Sequence, residues 1–244
     1  MKMPFLSIAI AAFVLSGSTV QAVDYSTALA SGKKVTVCRV DLRKQRLQLF
    51  LKDDEGRTLK SFEAIERWLT AKKQKLVFGM NAGMYHEDRT PVGLYVEAGK
   101  QHAPLNLRRE YGNFFLKPNG VFLIGAGGAA VVESSRYPMV SERVELATQS
   151  GPLLVLDGRI HPAFKQDSDS RLLRNGVGVR NPQEAIFAIT NEPTNLYEFA
   201  AFFRDVLKCP NALFFDGTVS SIHSPELKRS DKLIDLGPII GITE

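Results

Sequence analysis

The spacing of glycine residues is the feature that most limits the folds open to this chain. Thirteen of its 19 glycines lie between residues 76 and 180, where they separate short apolar runs. The runs cover residues 76–80, 92–96, 114–116, 121–124, 129–132 and 153–156. Short apolar runs bounded by glycine are typical of antiparallel or mixed β-sheet, and Ala98-Gly99 and Asp157-Gly158 are expected to form hairpin turns. The middle of the chain is therefore predicted to be sheet.

The residues before this region are predicted to form two strands and a helix. Residues 34–42 and 47–51 alternate in polarity, and the polar stretch between them suggests a hairpin. Ser61 is a favourable N-cap, and apolar residues recur after it at helical spacing. The predicted inward stripe of this helix consists of Phe62, Ile65, Trp68 and Leu69.

The last third of the chain is predicted to contain a strand-helix-strand unit. Residues 185–189 and 212–215 are apolar runs typical of buried strands. Asn195 and Glu198 have the spacing of a capping box, and Cys209-Pro210 is expected to end the helix. We expect the two strands to form a parallel pair with a right-handed crossover. The chain is thus predicted to be a single α+β domain with mixed, mostly antiparallel sheet and a few packing helices.

The composition is that of an ordinary globular protein preceded by an export signal. Of the 244 residues, 44% are hydrophobic and 23% are charged, and the formal net charge is +5. Lys2 precedes the apolar segment 5–15, and Val20-Gln21-Ala22 resembles a signal-peptidase site, so residues 1–22 are predicted to be a secretory signal peptide. An uncleaved N-terminal anchor is the alternative. We expect a mature domain over residues 23–244, periplasmic or secreted, with no membrane span after cleavage.

The distribution of charge argues against one class of partner, and the two cysteines raise the question of a disulfide. Lys and Arg residues are scattered along the chain, which together with export argues against a nucleic-acid partner. Export favours an oxidised pair formed by the two cysteines, Cys38 and Cys209. Two buried free thiols are the alternative, and neither the number nor the spacing of the cysteines suits a zinc site.

Polar residues beside glycines, where apolar runs end, are the candidate site residues. Asn81 lies between two glycines after a predicted strand, which suits a close approach of backbone to ligand. Arg174 precedes another glycine-flanked run, and its planar fork can hold two phosphate oxygens at once. Asp216 follows an uncharged strand and is either a turn former or a catalytic or metal-binding group. The structural alternative for Asn81 is a capped turn, and the structural alternative for Arg174 is a surface ion pair.

Several of these stretches together resemble the phosphodiester glycosidase family. The matching stretches are Asn81-Ala82-Gly83-Met84-Tyr85, Pro91-Val92-Gly93-Leu94, Gly112-Asn113-Phe114-Phe115, Gln149-Ser150-Gly151-Pro152, residues 174–179 and residues 215–221. They span nearly the whole predicted mature chain. In that family a strand often ends in Leu-Asp-Gly-Gly-Gly-Ser, whereas here Thr218 and Val219 stand in place of two of the glycines.

The resemblance implies an exported hydrolase that cleaves a sugar-1-phosphodiester on a small molecule or a polymer. It implies that Arg174 clamps the phosphate, that Asp216 assists glycosyl transfer to water, and that Asn81 orients the reacting groups. It also implies substrate contacts from Tyr85, Asn113, Gln149, Ser150, Asn175, Gly176, Gly217 and Ser220. A divalent cation could share the phosphate work, with Asp216 as its candidate ligand.

The sequence leaves a second carboxylate and two other functions open. Glu97 and Asp157 are candidates for the second catalytic carboxylate, although each also fits an ordinary strand or turn position. A non-catalytic envelope module could use the same pocket to bind a glycan or phosphoglycan. A structural or inhibitory exported protein would use the glycines only to shape turns. The retained Asn81, Arg174 and Asp216 favour the enzyme.

Overall fold

The computed structural model describes residues 23–232 and 234–244, which fold as three β-sheets with two short α-helices. The predicted signal peptide, residues 1–22, lies outside the described residues. Every strand pair within the described ranges is antiparallel. This arrangement confirms the predicted α+β class.

The largest sheet has seven strands. In spatial order they are β1 (Asp24–Ala30), β2 (Lys33–Asp41), β13 (Glu184–Thr190), β12 (Asn175–Asn181), β14 (Asn211–Asp216), β10 (Leu153–Leu156) and β11 (Arg159–Ile160). Alternate residues of β13 face opposite sides: Phe187 packs into one apolar core, and Ile186 into another. Both faces of this sheet are therefore covered.

Two five-stranded sheets complete the fold. One contains β16 (Arg229–Ser230), β15 (Ile222–Ser224), β4 (Leu76–Asn81), β17 (Ile239–Thr243) and β3 (Leu47–Phe50). The other contains β6 (Lys100–Ala103), β5 (Tyr95–Glu97), β9 (Val144–Ser150), β7 (Gly120–Gly125) and β8 (Gly128–Glu133). The ring of Phe187 lies 5.2 Å from that of Phe78 and 5.9 Å from that of Phe122, so one buried side chain joins all three sheets.

Both helices begin where the sequence predicts. Helix α1 (Phe62–Ala71) starts after Ser61, whose Oγ accepts a hydrogen bond from the Ala64 amide at 3.1 Å. Helix α2 (Leu196–Ala201) starts with the predicted capping box of Asn195 and Glu198, and continues as a π-helical turn over Phe202–Val206. Neither helix, nor any other helix within the described ranges, is long and apolar enough to span a membrane.

The predicted early hairpin is wrong, because the strands it joined belong to different sheets. Strand β2 pairs with β1 and β13, and β3 pairs with β17. The hairpin partner of β2 is β1, across a turn in which Ser31 and Gly32 both have positive φ. Such turns match the twist of the flanking strands. The polarity pattern showed the strands correctly, but the choice of partner depends on the distant strands β13 and β17.

Two further sequence predictions are corrected by the tertiary arrangement. Strands β13 and β14 run in the same direction but are not a parallel pair, because β12 lies between them and pairs with both. The apolar run at residues 114–116 is not a strand: Asn113–Phe115 is a 3₁₀ turn that buries Phe114. The predicted turns at Ala98-Gly99 and Asp157-Gly158 are present, with positive φ at all four residues.

The predicted disulfide is also wrong. Cys38 and Cys209 are both buried free thiols. Cys38 belongs to the core with Phe187, whereas Cys209 belongs to the core with Phe199 on the other face of the seven-stranded sheet. A disulfide requires Cα atoms about 4.4–6.8 Å apart and side chains directed at each other. Two thiols on opposite faces of a sheet do not meet that requirement.

Candidate active site

Three of the predicted site residues, Asn81, Asn175 and Asp216, lie together where two sheets meet. Asn81 is the last residue of β4, and Asn175 is the first residue of β12 in the seven-stranded sheet. The Asn175 amide donates to the Asn81 backbone oxygen at 2.8 Å and to Asn81 Oδ1 at 2.9 Å. Asp216 ends β14 directly opposite Asn175. Three strand ends, distant in sequence, are thus brought to one place.

A buried polar network holds the chain that follows β14. The Ser220 hydroxyl lies 3.2 Å from Asn175 Oδ1 and donates to the Asp216 backbone oxygen at 3.0 Å. The Ser221 amide donates to Asn81 Oδ1 at 2.9 Å. Asn81, Asn175 and Ser220 are all buried, and their hydrogen bonds hold the backbone from Asp216 to Ser221 in place.

Asp216 has one carboxylate oxygen held by the backbone. Its Oδ1 accepts hydrogen bonds from the amides of Gly217 at 2.6 Å, Thr218 at 2.8 Å and Val219 at 3.4 Å. Its Oδ2 has no hydrogen bond to the residues that the structure describes, and so it can meet a ligand. Burial raises the pKa of Asp216, although the three amides and the charge of Arg174 act in the opposite direction.

Arg174 lies behind the site rather than within it. Its side chain is 1% exposed, and it donates to the backbone oxygens of Thr194 and Ser170, each at 2.8 Å. No carboxylate in the described ranges lies within ion-pair distance of its guanidinium. A Cβ atom built on Gly217 would lie 2.9 Å from Nη1, so only the backbone at residue 217 separates this cation from the site. Burial lowers the pKa of Arg174 to about 10, and the nearby charge of Asp216 opposes that shift.

Asp216 lines a cavity of about 380 Å³, whereas Asn81, Arg174, Asn175 and Ser220 lie outside its lining. The floor is Leu172 and residues 216–219, and the walls are Met84, Tyr85, Val92 and residues 111–115. Of the residues predicted to contact substrate, Tyr85, Asn113 and Gly217 line this cavity with Asp216. The Tyr85 hydroxyl donates to the Asp235 backbone oxygen at 2.9 Å, which fixes the ring as one wall.

Three other predicted contacts are structural in this fold. Gln149 Oε1 accepts from the amides of Leu94 and Asn106, and its Nε2 donates to Asn106 and Ser134. The Ser150 hydroxyl donates to the Phe215 backbone oxygen at 3.0 Å, beside Asp216. A Cβ atom at Gly176 would lie 2.5 Å from the Leu213 oxygen, so glycine is required there for strand packing. None of the three lines the cavity.

Neither candidate for a second carboxylate is at the site. Glu97 lies in β5, where it accepts a hydrogen bond from the Tyr95 hydroxyl at 2.7 Å, and Asp157 is in the exposed β10–β11 turn. Asp216 is the one carboxylate among the described residues that line the cavity. Nor do the described residues contain a group of three or more His, Cys, Asp or Glu side chains arranged to hold a metal ion. Among the described residues that line the cavity, Asp216 is thus the one carboxylate that could act as a ligand of a divalent cation.

Two cavity-lining residues, Tyr111 and Leu172, lie outside the stretches that resemble the family. Met84, Val92, Phe115 and Thr218 lie within those stretches but were not among the predicted substrate contacts. Tyr111 is fully exposed at the cavity mouth, beside Gly112 with a φ of 104°. The signal available in the sequence was an aromatic residue next to a glycine, directly after the charged residues 108–110. An aromatic residue in a polar segment is notable because its ring gains nothing there from burial.

Comparison with known proteins agrees with this architecture. A family model described as phosphodiester glycosidase matches residues 74–224. The Escherichia coli (strain K12) protein named uncharacterized protein YigE is 32% identical over 184 residues, which cover 75% of this chain and 72% of YigE. The chain therefore belongs to the phosphodiester glycosidase family.

Two solved structures share the fold. The zebrafish N-acetylglucosamine-1-phosphodiester alpha-N-acetylglucosaminidase catalytic domain, auto-inhibited by its pro-peptide, superposes with a TM-score of 0.61 at 15% identity, covering 90% of this chain and 81% of that one. A hypothetical protein from Synechocystis gives a TM-score of 0.62 at 13% identity, covering 91% and 61%. At such identities the likeness concerns the fold alone.

Proposed function

We propose that this protein hydrolyses a sugar-1-phosphodiester in the cavity above Asp216. The observation that carries the proposal is the arrangement of the Asp216 carboxylate, which lines the cavity. Three backbone amides hold its Oδ1, whereas its Oδ2 has no hydrogen bond to the described residues. Family membership supplies the class of reaction. The zebrafish relative is named for action on an N-acetylglucosamine-1-phosphodiester, which makes that compound the first substrate to test.

The chemistry needs little from the protein beyond charge stabilisation. The bond between the anomeric carbon and the phosphodiester oxygen breaks, and the phosphate monoester leaves with the electron pair. Water adds to the anomeric carbon, its hydroxyl stays on the free sugar, and its other proton passes to the released phosphate or to solvent. A phosphate monoester is a weak base, so this leaving group requires less proton donation than an alcohol. The anomeric carbon becomes cationic in the transition state, and a fixed carboxylate stabilises it. Asp216 Oδ2 is the atom proposed for that role.

Arg174 is proposed to act on the phosphate through the cavity floor. Its guanidinium has no carboxylate partner within 4 Å in the described part of the chain, and Gly217 separates it from the cavity. A buried positive charge lowers the free energy of an anion across a thin, poorly solvated wall. This role replaces the bidentate clamp expected from the sequence. The proposed role of Asn81, with Asn175 and Ser220, is to fix the position of Asp216.

We propose that the protein acts after export, in the periplasm or outside the cell. The proposal rests on the pattern of residues 1–22, where an apolar segment follows Lys2 and precedes Val20-Gln21-Ala22. Mass determination of the protein recovered from its natural host would test it. A mature chain beginning near residue 23 is expected, whereas an intact Met1 terminus on protein recovered with the cytoplasm would contradict it.

The decisive test of the hydrolase is release of reducing sugar from the methyl phosphodiester of N-acetylglucosamine-1-phosphate. The mature protein and its Asp216→Asn variant are compared, each with and without EDTA. We expect release by the unaltered protein, a fall of at least a hundredfold in the variant, and no effect of EDTA. The asparagine keeps an Oδ1 acceptor for the three amides, so the loop should stay folded.

The alternative is a glycan-binding or phosphoglycan-binding module that uses the same cavity without turnover. It is favoured by the replacement of two family glycines by Thr218 and Val219 in the loop that forms the floor. Saturable binding of the intact phosphodiester, with no sugar released over prolonged incubation, would select the module over the hydrolase.

A further inference from the structure

The cavity above Asp216 continues into a groove that the proposed reaction does not explain. We call this depression the Tyr111 groove; it has a volume of about 500 Å³ and is lined by Arg109, Glu110, Tyr111, Gly112, Phe115, Leu116 and Lys117. Tyr111, Gly112 and Phe115 line both depressions, so the two form one continuous surface. A ligand longer than a sugar phosphate would extend from the cavity into this groove.

Two cationic side chains of the groove, Arg109 and Lys117, have no ion pair with a carboxylate among the residues that the structure describes. Glu110 is paired with Arg108, at 2.9 Å, and so its charge is already neutralised. Neither Arg109 nor Lys117 has a carboxylate within 4 Å among the residues that the structure describes. The Lys117 ammonium donates to Asn119 Oδ1 at 2.9 Å, and no other hydrogen bond joins it to the described residues. It therefore has donors to spare for an anionic ligand.

Arg109 and Lys117 line the same groove. Burial lowers the pKa of Lys117, Glu133 opposes that shift, and the positive charge of Arg109 adds a smaller lowering effect. Glu133 is itself in an ion pair with Arg136, at 3.6 Å, and does not line the groove. A phosphate in the groove would offer oxygens to both Arg109 and Lys117.

Tyr111 stands at the junction between the cavity and the groove. Its side chain is fully exposed. Phe115, from the 3₁₀ turn, is half-buried beside it and stacks edge-on against Phe114, with ring centroids 5.0 Å apart. An exposed phenol ring offers an apolar face for the C–H surface of a sugar or polyol and a hydroxyl for hydrogen bonding. The junction thus suits a carbon chain between two phosphates.

We propose that the Tyr111 groove binds the leaving half of the substrate and selects phosphodiesters whose alcohol carries a second phosphate. The inference rests on the proposed hydrolysis at Asp216. The sugar lies at Asp216, the scissile phosphodiester leads towards Tyr111, and the second phosphate lies between Arg109 and Lys117. The natural substrate is then a polyanionic polyol or glycan phosphate rather than the phosphodiester of a neutral alcohol.

The test compares two substrates that differ only in the alcohol. Both are phosphodiesters of N-acetylglucosamine-1-phosphate, one with methanol and the other with glycerol 3-phosphate. The ratio of their kcat/KM values is measured for the unaltered protein, for Arg109→Gln combined with Lys117→Gln, and for a control. The control combines Lys100→Gln with Arg159→Gln, which removes the same charge at exposed residues that line neither the cavity nor the groove.

We expect the glycerol phosphate substrate to be preferred at least tenfold, through KM. The double groove variant should lose this preference, whereas the control should keep it. Added salt should weaken the preference, because exposed charges are screened. Equal use of both substrates by the unaltered protein, or a preference that survives in the groove variant, would overturn the inference and leave the hydrolase intact.

Failure of the hydrolase itself gives a distinct result. If the unaltered protein cleaves neither substrate, calorimetric binding of the two intact compounds takes the place of kcat/KM. Tighter binding of the glycerol phosphate compound, lost in the groove variant alone, would support the groove without the reaction. Equal binding of the two compounds would overturn the groove as well.

Discussion

The guanidinium of Arg174 lies directly behind Gly217, such that a Cβ atom at residue 217 would come within 2.9 Å of Nη1 and 3.2 Å of the Phe214 ring. The wall between a buried cation and the cavity is therefore only a peptide backbone thick. Arg174 cannot easily withdraw, because Thr194 and Ser170 hold it by hydrogen bonds. The absence of a side chain at residue 217 is what brings the positive charge this close to the cavity.

Gly217→Ala should strongly reduce the rate of sugar release while changing the thermal midpoint little. The added methyl group must displace either the Arg174 guanidinium or the loop that holds Asp216, and a shift of this size near reacting atoms costs about a hundredfold in rate. Sugar release and thermal unfolding are measured together. Gly127→Ala is the matched control, because nothing lies within 4 Å of a Cβ atom there. Unchanged turnover in Gly217→Ala would remove the Arg174–Gly217 contact from the mechanism.

The pH dependence of activity should report on Asp216. Burial raises its pKa above the ordinary value of about 3.9, and the ionised form is the one that stabilises a cationic carbon. We expect kcat/KM to fall tenfold per pH unit once the pH drops below the pKa of Asp216, and that pKa should be higher than that of an ordinary aspartate. The acidic limb is measured between pH 3.5 and 8 with a substrate that does not titrate there. A plateau that continues down to pH 4 would contradict the assignment.

The raised pKa of Asp216 also affects stability: activity should rise with pH, whereas the contribution of Asp216 to folding stability should fall. A carboxyl group with a raised pKa binds its proton more tightly in the folded state than in the unfolded state, so its contribution to stability falls as pH rises from the ordinary to the raised pKa. Asp216→Asn removes the penalty of the ionised group at neutral pH. The thermal midpoint of this variant at pH 7 should equal or exceed that of the unaltered protein, and a marked decrease would indicate a structural carboxylate.

Replacement of Arg174 should change the pH at which kcat/KM falls on the acidic side of the activity profile, called the acidic limb. The charge of Arg174 lowers the pKa of Asp216, so Arg174→Met should shift the limb to higher pH, whereas Arg174→Lys should leave it near its original place. The methionine variant also removes the guanidinium hydrogen bonds to the backbone oxygens of Thr194 and Ser170. The Thr194 oxygen keeps the Leu172 amide as a donor, at 3.3 Å, and Ser170 is exposed to solvent, so the variant should stay folded. If the limb is identical in both variants, Arg174 has no electrostatic effect on the site.

The Asn81–Asn175 pair should be essential to the position of the site. Asn175→Asp replaces an amide donor by an acceptor that faces two acceptors of Asn81, and we expect a loss of about 2–4 kcal/mol in the free energy of unfolding. Chemical denaturation measures this loss. Asn181→Asp, in the exposed end of the same strand, is the control. Equal stability of the two variants would show that the network does not hold the strand ends together.

The two cysteines should behave as buried thiols. Burial raises the pKa of Cys38, and it raises that of Cys209 to about 12. We expect two thiols to react with a chromogenic disulfide reagent only after denaturation, and reductant to leave the thermal midpoint unchanged. A midpoint that falls when reductant is added would mean that the chain contains a disulfide.

Local features were predictable from sequence because neighbouring residues create them. Ser61 begins α1 because its own hydroxyl caps a nearby amide, and Asn195 begins α2 in the same way. The turn at Asp157-Gly158 follows from residues that tolerate positive φ. The approximate site was also predictable, because Asn81 and Asp216 are polar residues at the ends of apolar strands.

The sequence by itself determined the class of fold, the strand ends that carry the site, and the family to which the chain belongs. Tertiary structure alone decided which strands pair, that Cys38 and Cys209 lie on opposite faces of a sheet, and that Arg174 stands behind the cavity rather than in it. It also decided that the amide of Gln149 is used internally. These outcomes depend on contacts between residues that are tens to hundreds of positions apart. A local sequence pattern cannot show how favourable such contacts are.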